Sequence, residues 1–496
     1  MKKCITLLCG LLIFSVSSAY EPSITEMVSG QDELNCKQVV FASGKPVVLE
    51  GTAQVEKSKK GKSETESYSS SLSDEEGNTL SNDFSFAITS EEKANGQITK
   101  VWKVDKFDEK IVSNGTTYTL KKYDFSKTRL DDTKAVGTYF AGNINLKKEY
   151  DDGNNGILKI VGTGNIYGYD TAWAKNETVN MVYTVSYVNG DNSWTGKYKT
   201  TTSDTDKKII SYIENRPTEI SFDGGFMISE NNISTLRYSS EMPEFYGNKA
   251  LDYVIENSGS FKYETFPLET RLANYSLKGI KGHWGEKALR QAFALEYMDE
   301  WDANTTPDSP VTRGEFAKIM ALVLKLDVDG NKTTTKNANQ NSTSTTTKNT
   351  NQNTAQNTNT SEKDKKLVYK DVPETNKYYK YIMTLTEAGV VEGTGNNKFQ
   401  PNAVISRAEA ITMIIAALGF TDKAPEPLPL LTFSDSSDVP AWAEKYIYMG
   451  HKIGLLNGDE NGNVMARKQL TKAEIASITN NMVKYIIEEL SEEYIL

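Results

Sequence analysis

The chain has 496 residues, 38% of them hydrophobic, with a mean hydropathy of −0.52 and a formal net charge of −10. That length predicts two to four domains, and the polar balance excludes a membrane-embedded helix bundle. The acidic excess argues against a protein that grips nucleic acid through a basic face.

Lys2 and Lys3 precede an apolar stretch from Ile5 to Phe14, and Ser15, Ser17, Ser18 and Ala19 follow. This order predicts a secretory signal peptide over 1–19. The stretch is too short to span a bilayer, and Leu8 before Cys9 does not fit a lipid-attachment site. No later apolar run is long enough for a membrane span. Cys4 and Cys9 lie within the signal, so Cys36 remains and no internal disulfide framework is expected.

Residues 20–265 read as an all-β surface region. Alternating runs such as "KPVVLEGTAQVE", "ITKVWKVDKF" and "NMVYTVSYV" are separated by turn clusters such as "DDGNNG" and "VNGDNSW". Period-2 alternation implies half-buried strands, and the expected architecture is sandwich-like, or two small β domains. The polar run "KSKKGKSETESYSSSLSDEEGN" is expected to be a long exposed loop.

Residues 328–366 are almost entirely Asn, Thr, Gln, Ser and Lys. Such a segment cannot bury enough apolar surface to order itself, and it reads as a linker spanning roughly 30 Å.

The rest of the chain is helical by pattern and repeats itself, in segments 277–327, 367–420 and 430–486. "VTRGEF" (311–316), "ISRAEA" (405–410) and "LTKAEI" (470–475) share one plan. Thr312, Ser406 and Thr471 are hydroxyl N-caps, and Glu315, Glu409 and Glu474 stand at the third helical position, the capping-box spacing. Val311, Ile405 and Leu470 precede the caps as hydrophobic-staple residues, opposite Phe316, Ala410 and Ile475. Arg313, Arg407 and Lys472 put a cation on the first helical residue, where the helix dipole is already positive. Upstream of each box lies a second helix. Trp284 precedes Thr312 by 28 residues and Trp442 precedes Thr471 by 29; the middle segment has Lys377 there, followed by Tyr378 and Tyr379. One helix pair exposes an apolar face, and stacking several buries it.

These segments resemble S-layer homology domains, three in tandem, as found in exported proteins of Gram-positive bacteria. The likeness rests on the T/S-R/K-A-E cores, "DVP" at 371–373 and 438–440, the "AGVVEG" and "IGLLNG" turns and "FQPN" at 399–402. It covers about the C-terminal two-fifths of the chain. It implies an all-α, pseudo-threefold bundle of three helix-loop-helix repeats. The grooves between repeats would bind a secondary cell-wall polysaccharide, often one with pyruvyl ketals. Carried over, the binding role falls on Arg313 and Arg407, with Lys472 in the third copy, and on the aromatics Trp284, Trp442 and Tyr378. Copy one departs from the pattern, with "EYMDEW" where a Gly-bounded turn is expected; copy two lacks the Trp, and copy three has Lys for Arg. A ketal carboxylate would find free N–H groups at a helix start and a charge-assisted bond from Arg. An indole would face the sugar C–H groups. The competing account pairs each cation with a surface carboxylate, worth only about 0–1 kcal/mol.

No catalytic signature stands out. His283 and His451 both lie in the helical segments, so no Ser-His-Asp or zinc arrangement can be built in the β region. "GDENGNV" at 458–464 reads as a turn and not as a calcium loop. No metal or cofactor is expected. The leading expectation is a non-catalytic, wall-attached surface or S-layer-type protein that meets wall polysaccharide and like molecules in a lattice. Two alternatives stay open: an adhesin or glycan-binding module, and a wall-anchored polysaccharide-degrading enzyme with paired carboxylates.

Overall fold

The computed structural model describes residues 27–29, 35–60, 63–214, 224–247, 249–329 and 369–495. The expected signal peptide and nearly all of the expected linker lie outside them.

The β region is one antiparallel meander. Its strands are β1 (Met27–Ser29), β2 (Asn35–Val40), β3 (Val47–Lys60), β4 (Ser63–Ser73), β5 (Thr79–Glu92), β6 (Ile98–Ser113) and β7 (Thr116–Lys134), followed by β8 (Gly137–Asp151), β9 (Ile157–Thr171), β10 (Ala174–Asn189), β11 (Asn192–Ile213), β12 (Gly225–Tyr246), β13 (Lys249–Glu264) and β14 (Leu268–Arg271). Strands β1 to β13 each pair with the next in chain order, and β14 returns to β12. Tight hairpins set this order. Between β6 and β7, Ser113 pairs with Thr116, and the two-residue loop Asn114–Gly115 has φ of 49° and 76°. Positive φ at both positions is the type I′ geometry that matches strand twist.

The sheet curls until its ends meet across a shared core. Phe41, just after β2, stacks on Tyr198 of β11 with ring centroids 4.1 Å apart, and Tyr198 stacks on Tyr183 of β10 at 4.3 Å. β1 lies against β12 and β13. The expected sandwich or pair of domains is therefore corrected to a single, nearly closed sheet. From β1 to β13 no strand crosses between layers, because each pairs with the next in chain order. The expected loop in "KSKKGKSETESYSSSLSDEEGN" is also corrected, since it holds the end of β3 and all of β4. The inward residues of β4 are Glu66, Tyr68, Ser70 and Leu72, all buried. Two of the four are polar, which hid the alternation; Glu66 is tolerated inside because it accepts a 3.0 Å bond from the Trp102 indole N–H.

The helical region alternates short and longer helices: α1 (Glu286–Ala294), α2 (Arg313–Val323), α3 (Tyr379–Glu387), α4 (Arg407–Ala417), α5 (Glu444–Lys452) and α6 (Lys472–Ile495). The three short helices each have nine residues and end in one and the same turn. Its left-handed residue is Glu296 (φ 61°), Gly389 (φ 69°) or Gly454 (φ 72°). Its amide donates to Phe293, Thr386 or His451 respectively, the glycine-type helix stop. Among the described residues no helix is long and apolar enough to cross a membrane.

The sheet and the helices share one apolar cluster. Val136, Tyr169 and Trp173, at the ends of β7–β10, are buried together with α2, α4 and α6. The contact falls on the C-terminal ends of helices, where the last carbonyls lack intrahelical partners. The Val136 amide donates to Ala417 O (3.1 Å), the Trp173 indole N–H to Val323 O (2.9 Å) and the Tyr139 hydroxyl to Leu418 O (3.2 Å). Lys325 is caught in this seam with its ammonium 4.9 Å from the Trp173 ring centroid. Burial, with the charge of Lys208 nearby, pushes its pKa down to about 8.

Trp173→Ala removes a buried indole and the donor to Val323, and should cost about 3–5 kcal/mol in denaturant unfolding. Trp284→Ala, at an exposed position, should change stability by no more than about 0.5 kcal/mol.

Candidate functional site

The three boxed helix starts, of α2, α4 and α6, meet at one place and bond to each other in a closed cycle. The staple residues open it. The Ile405 amide donates to Val311 O (2.9 Å), Leu470 to Ile405 O (3.0 Å) and Val311 to Leu470 O (3.1 Å). All three side chains are buried, so these bonds form away from water, where an unmade one is costly.

The first helical amides continue the cycle. Arg313 N donates to Ala403 O (2.8 Å), Arg407 N to Lys468 O (2.9 Å) and Lys472 N to Ser309 O (2.9 Å). The second amides follow suit, with Gly314 to Pro401 O, Ala408 to Ala466 O and Ala473 to Pro307 O, each at 2.9 Å. The third amides go to the caps: Glu315 to Thr312 Oγ1 (3.2 Å), Glu409 to Ser406 Oγ (3.4 Å) and Glu474 to Thr471 Oγ1 (3.3 Å). The amides expected to stand free for an anion are thus donated within the chain.

The motif cations and carboxylates form a second cycle around the first. Arg313 Nη1 donates to Glu409 Oε1 (2.6 Å), Arg407 Nη2 to Glu474 Oε1 (3.1 Å), and Lys472 Nζ to Glu315. Each cation reaches the box glutamate of the next segment, with Lys472 closing back onto the first. Arg313 adds a 2.9 Å bond from Nε to Phe399 O and lies 4.8 Å over the Phe399 ring. Arg407 Nη1 donates to Val464 O (3.3 Å). Arg313, Lys472 and Glu315 are buried. The pairs are therefore shielded, unlike the exposed surface pairs weighed from sequence. A dipole penalty of at most about 1 kcal/mol is offset by a carboxylate and a carbonyl set to receive the charge.

The boxes differ in one respect. Glu409 and Glu474 return to their own cap amides, Ser406 N (2.8 Å) and Thr471 N (3.1 Å), but the Glu315 carboxylate turns to Lys472. The carboxylates also differ in acidity. Burial raises the pKa of Glu315 despite Lys472. Burial acts the same way on Glu474, but bonds from Lys468 and the Thr471 amide, with the charge of Arg407, hold it below the ordinary value.

The aromatics divide. Trp284 and Trp442 stand just before α1 and α5 and are 65% and 53% exposed. Lys377 occupies the same place before α3, largely in solvent, 2.9 Å from Glu300. Tyr378 is one residue further on, level with Gly285 and Ala443. It is buried against Gly314, and its hydroxyl donates to Glu300 (3.0 Å).

Sequence reading missed two residues, Asp435 and Glu300. Asp371 accepts from Phe399 N (2.9 Å) and Gln400 N (2.8 Å), and Asp435 accepts from Val464 N (2.7 Å) and Met465 N (2.8 Å). Each holds a turn with a left-handed residue, Gln400 (φ 61°) or Met465 (φ 50°). Asp435, not Asp438 of the second "DVP", is therefore the counterpart of Asp371. The signal that would have found it is an aromatic residue two positions earlier, Tyr369 or Phe433. Glu300 is the second miss, since nothing local marks it as the partner of Lys377 and Tyr378. Asp459 accepts from Asn461 N and Asn463 N of its own loop, at 2.9 and 2.8 Å.

Lys472→Met strands a buried carboxylate and should cost about 3–5 kcal/mol. Lys472→Met combined with Glu315→Leu should recover most of it, as read by denaturant unfolding at pH 7. Glu474 gives a pH test. Its folded pKa lies below its unfolded one, so its stabilisation is present above about pH 4.3 and lost as pH falls. Glu474→Gln should destabilise at pH 7 and lose progressively less against wild type below that point.

Comparison with known proteins bears on two of the three segments. Residues 368–411 and 432–476 match the S-layer homology domain. The chain is 28% identical over 134 residues to an endoglucanase of Bacillus sp. (strain KSM-635), covering 27% of this chain and 14% of that protein. It is 27% identical over 121 residues to the surface-layer 125 kDa protein of Lysinibacillus sphaericus, covering 24% and 10%. It is 27% identical over 269 residues to a cellulosome-anchoring protein of Acetivibrio thermocellus, covering 51% and 46%. The chain spans less than half the length of each of these relatives. Two segments of the helical region are thus of the S-layer homology type.

Proposed function

We propose that the helical region anchors this protein non-covalently to the cell wall by binding secondary cell-wall polysaccharide, and that the protein works at the cell surface. The observation that carries the reading is a locked frame bearing exposed indoles. Two segments match the S-layer homology domain, and the bonded cycle joins both to the helix start at Arg313 on equal terms. That equality supports counting 277–327 as a third repeat in a pseudo-threefold bundle. Similarity to a surface-layer protein and to a cellulosome-anchoring protein fits the same role.

In this reading the work is divided between two sets of residues. Arg313, Arg407 and Lys472 hold the helix starts in register. Trp284 and Trp442 present flat apolar faces to sugar rings, and Lys377 offers a point charge to a carboxylate on the polymer. Tyr378 steadies Glu300 beneath Lys377. The β region is the displayed part, available to like molecules, and the protein is read as non-catalytic.

A wall-pelleting assay on the full-length chain tests this. Trp284→Ala with Trp442→Ala should cut retention on purified walls at least tenfold without lowering the unfolding midpoint. Walls stripped of secondary polysaccharide should retain none. Undiminished pelleting of the double variant, or equal binding to stripped walls, would refute the proposal.

A further inference from the structure

Strand β13 is an edge that the chain leaves open. It pairs with β12 on one side, and among the described residues no strand pairs with the other. β1 comes close, but its ladder is with β2. β14 continues the same edge: it pairs with Met227–Glu230 of β12, and β13 with Ile233–Tyr246. None of the 16 residues of β13 is buried. A long open edge is a template for another strand, and chains normally blunt one.

The edge is patterned along its length. Exposed apolar residues gather at its two ends, with Leu251, Tyr253 and Val254 at one and Phe266 and Leu268 at the other. Phe266 is 99% exposed. Between the two patches an unbroken ladder joins β12 from Ile255 to Glu264, and Gly259 lies near its middle. The charges are ordered too. In one row Lys197 of β11 stands opposite Glu241 of β12, and Glu241 opposite Glu256 of β13. Like charges directly opposite destabilise a ladder, and Glu256 has no ion-pair partner among the described residues. Lys262, farther along β13, meets Glu264 at 2.5 Å with both side chains about half exposed, a pair that contributes little.

We propose that two copies of this chain join edge to edge through β13, antiparallel about a two-fold axis at Gly259. A two-fold sets the axial residue against itself, and glycine there leaves no side chains to collide. This register puts Lys262 of each copy opposite Glu256 of the other, which completes the row that begins at Lys197. It sets Ile255 opposite Tyr263. It carries the patch at 251–254 of each copy onto the patch at 266–268 of the other, so the most exposed apolar residues of the edge cover one another. Neighbouring registers fail. An axis at Glu256, Ser258 or Ser260 sets carboxylates opposite each other, and one at Asn257 leaves Phe266 past the end of the facing strand. Strand addition of this kind takes its affinity from main-chain bonds and its specificity from the side chains. The proposal rests on the reading of the β region as the part available to like molecules, and not on how the helical region holds the wall.

Sedimentation equilibrium of the full-length chain tests it. The wild type should be a dimer at micromolar concentration. Glu256→Lys and Lys262→Glu should each raise the dissociation constant at least tenfold while keeping the wild-type circular dichroism. Mixed in equal amounts, the two variants should regain most of the wild-type affinity as a heterodimer, because each supplies the charge the other lacks. A wild type that stays monomeric through the micromolar range, a dimer indifferent to both substitutions, or variants that fail to associate when mixed would overturn the proposal. A monomer that still pellets with walls removes only this interface; a dimer that does not pellet removes the anchoring reading instead.

Discussion

The helical region depends on one constraint: the first three helical amides of α2, α4 and α6 are all satisfied by the chain itself. A helix begins with unpaired amides, and three such starts buried together would be ruinous if left so. Here the staple residues Val311, Ile405 and Leu470 exchange bonds around a closed cycle, and the next two amides of each helix enter the neighbouring segment. No segment can complete its own helix start. This is the local reason the unit is a cycle and not a row of independent helix pairs, and it explains the recurring cation. Arg313, Arg407 and Lys472 sit against the dipole because the glutamate of the next box lies in front of them.

The opposite ends of the helices are closed in another way. Carbonyls at the ends of α2 and α4 accept from Val136, Tyr139 and Trp173 of the β region. The sheet is therefore a lid on the bundle, continuous with its core. With both ends occupied, the proposed wall contact falls to the flanks. They carry the exposed Trp284 and Trp442.

Much of this was legible in the residues. The capped starts, the staples and the paired helices follow from spacing, because capping and periodicity are local physics. The partner of each cation was not legible, since Glu409 lies far along the chain from Arg313 and only the closed cycle joins them. The meander escaped notice because Glu66 and Ser70 face inward on β4, breaking the alternation that marks a strand. Asp435 was passed over because a nearby "DVP" repeated the letters but not the geometry.

Hydrogen exchange on the full-length chain, alone and with purified wall polysaccharide, tests the central claim most directly. The amides of Val311, Ile405, Leu470, Arg313, Arg407 and Lys472 should exchange only through global unfolding in both states. Added polymer should protect the segments around Trp284 and Trp442. Fast exchange at the six amides in the free protein, suppressed only when polymer binds, would contradict the account: the helix starts would then be open anion sites.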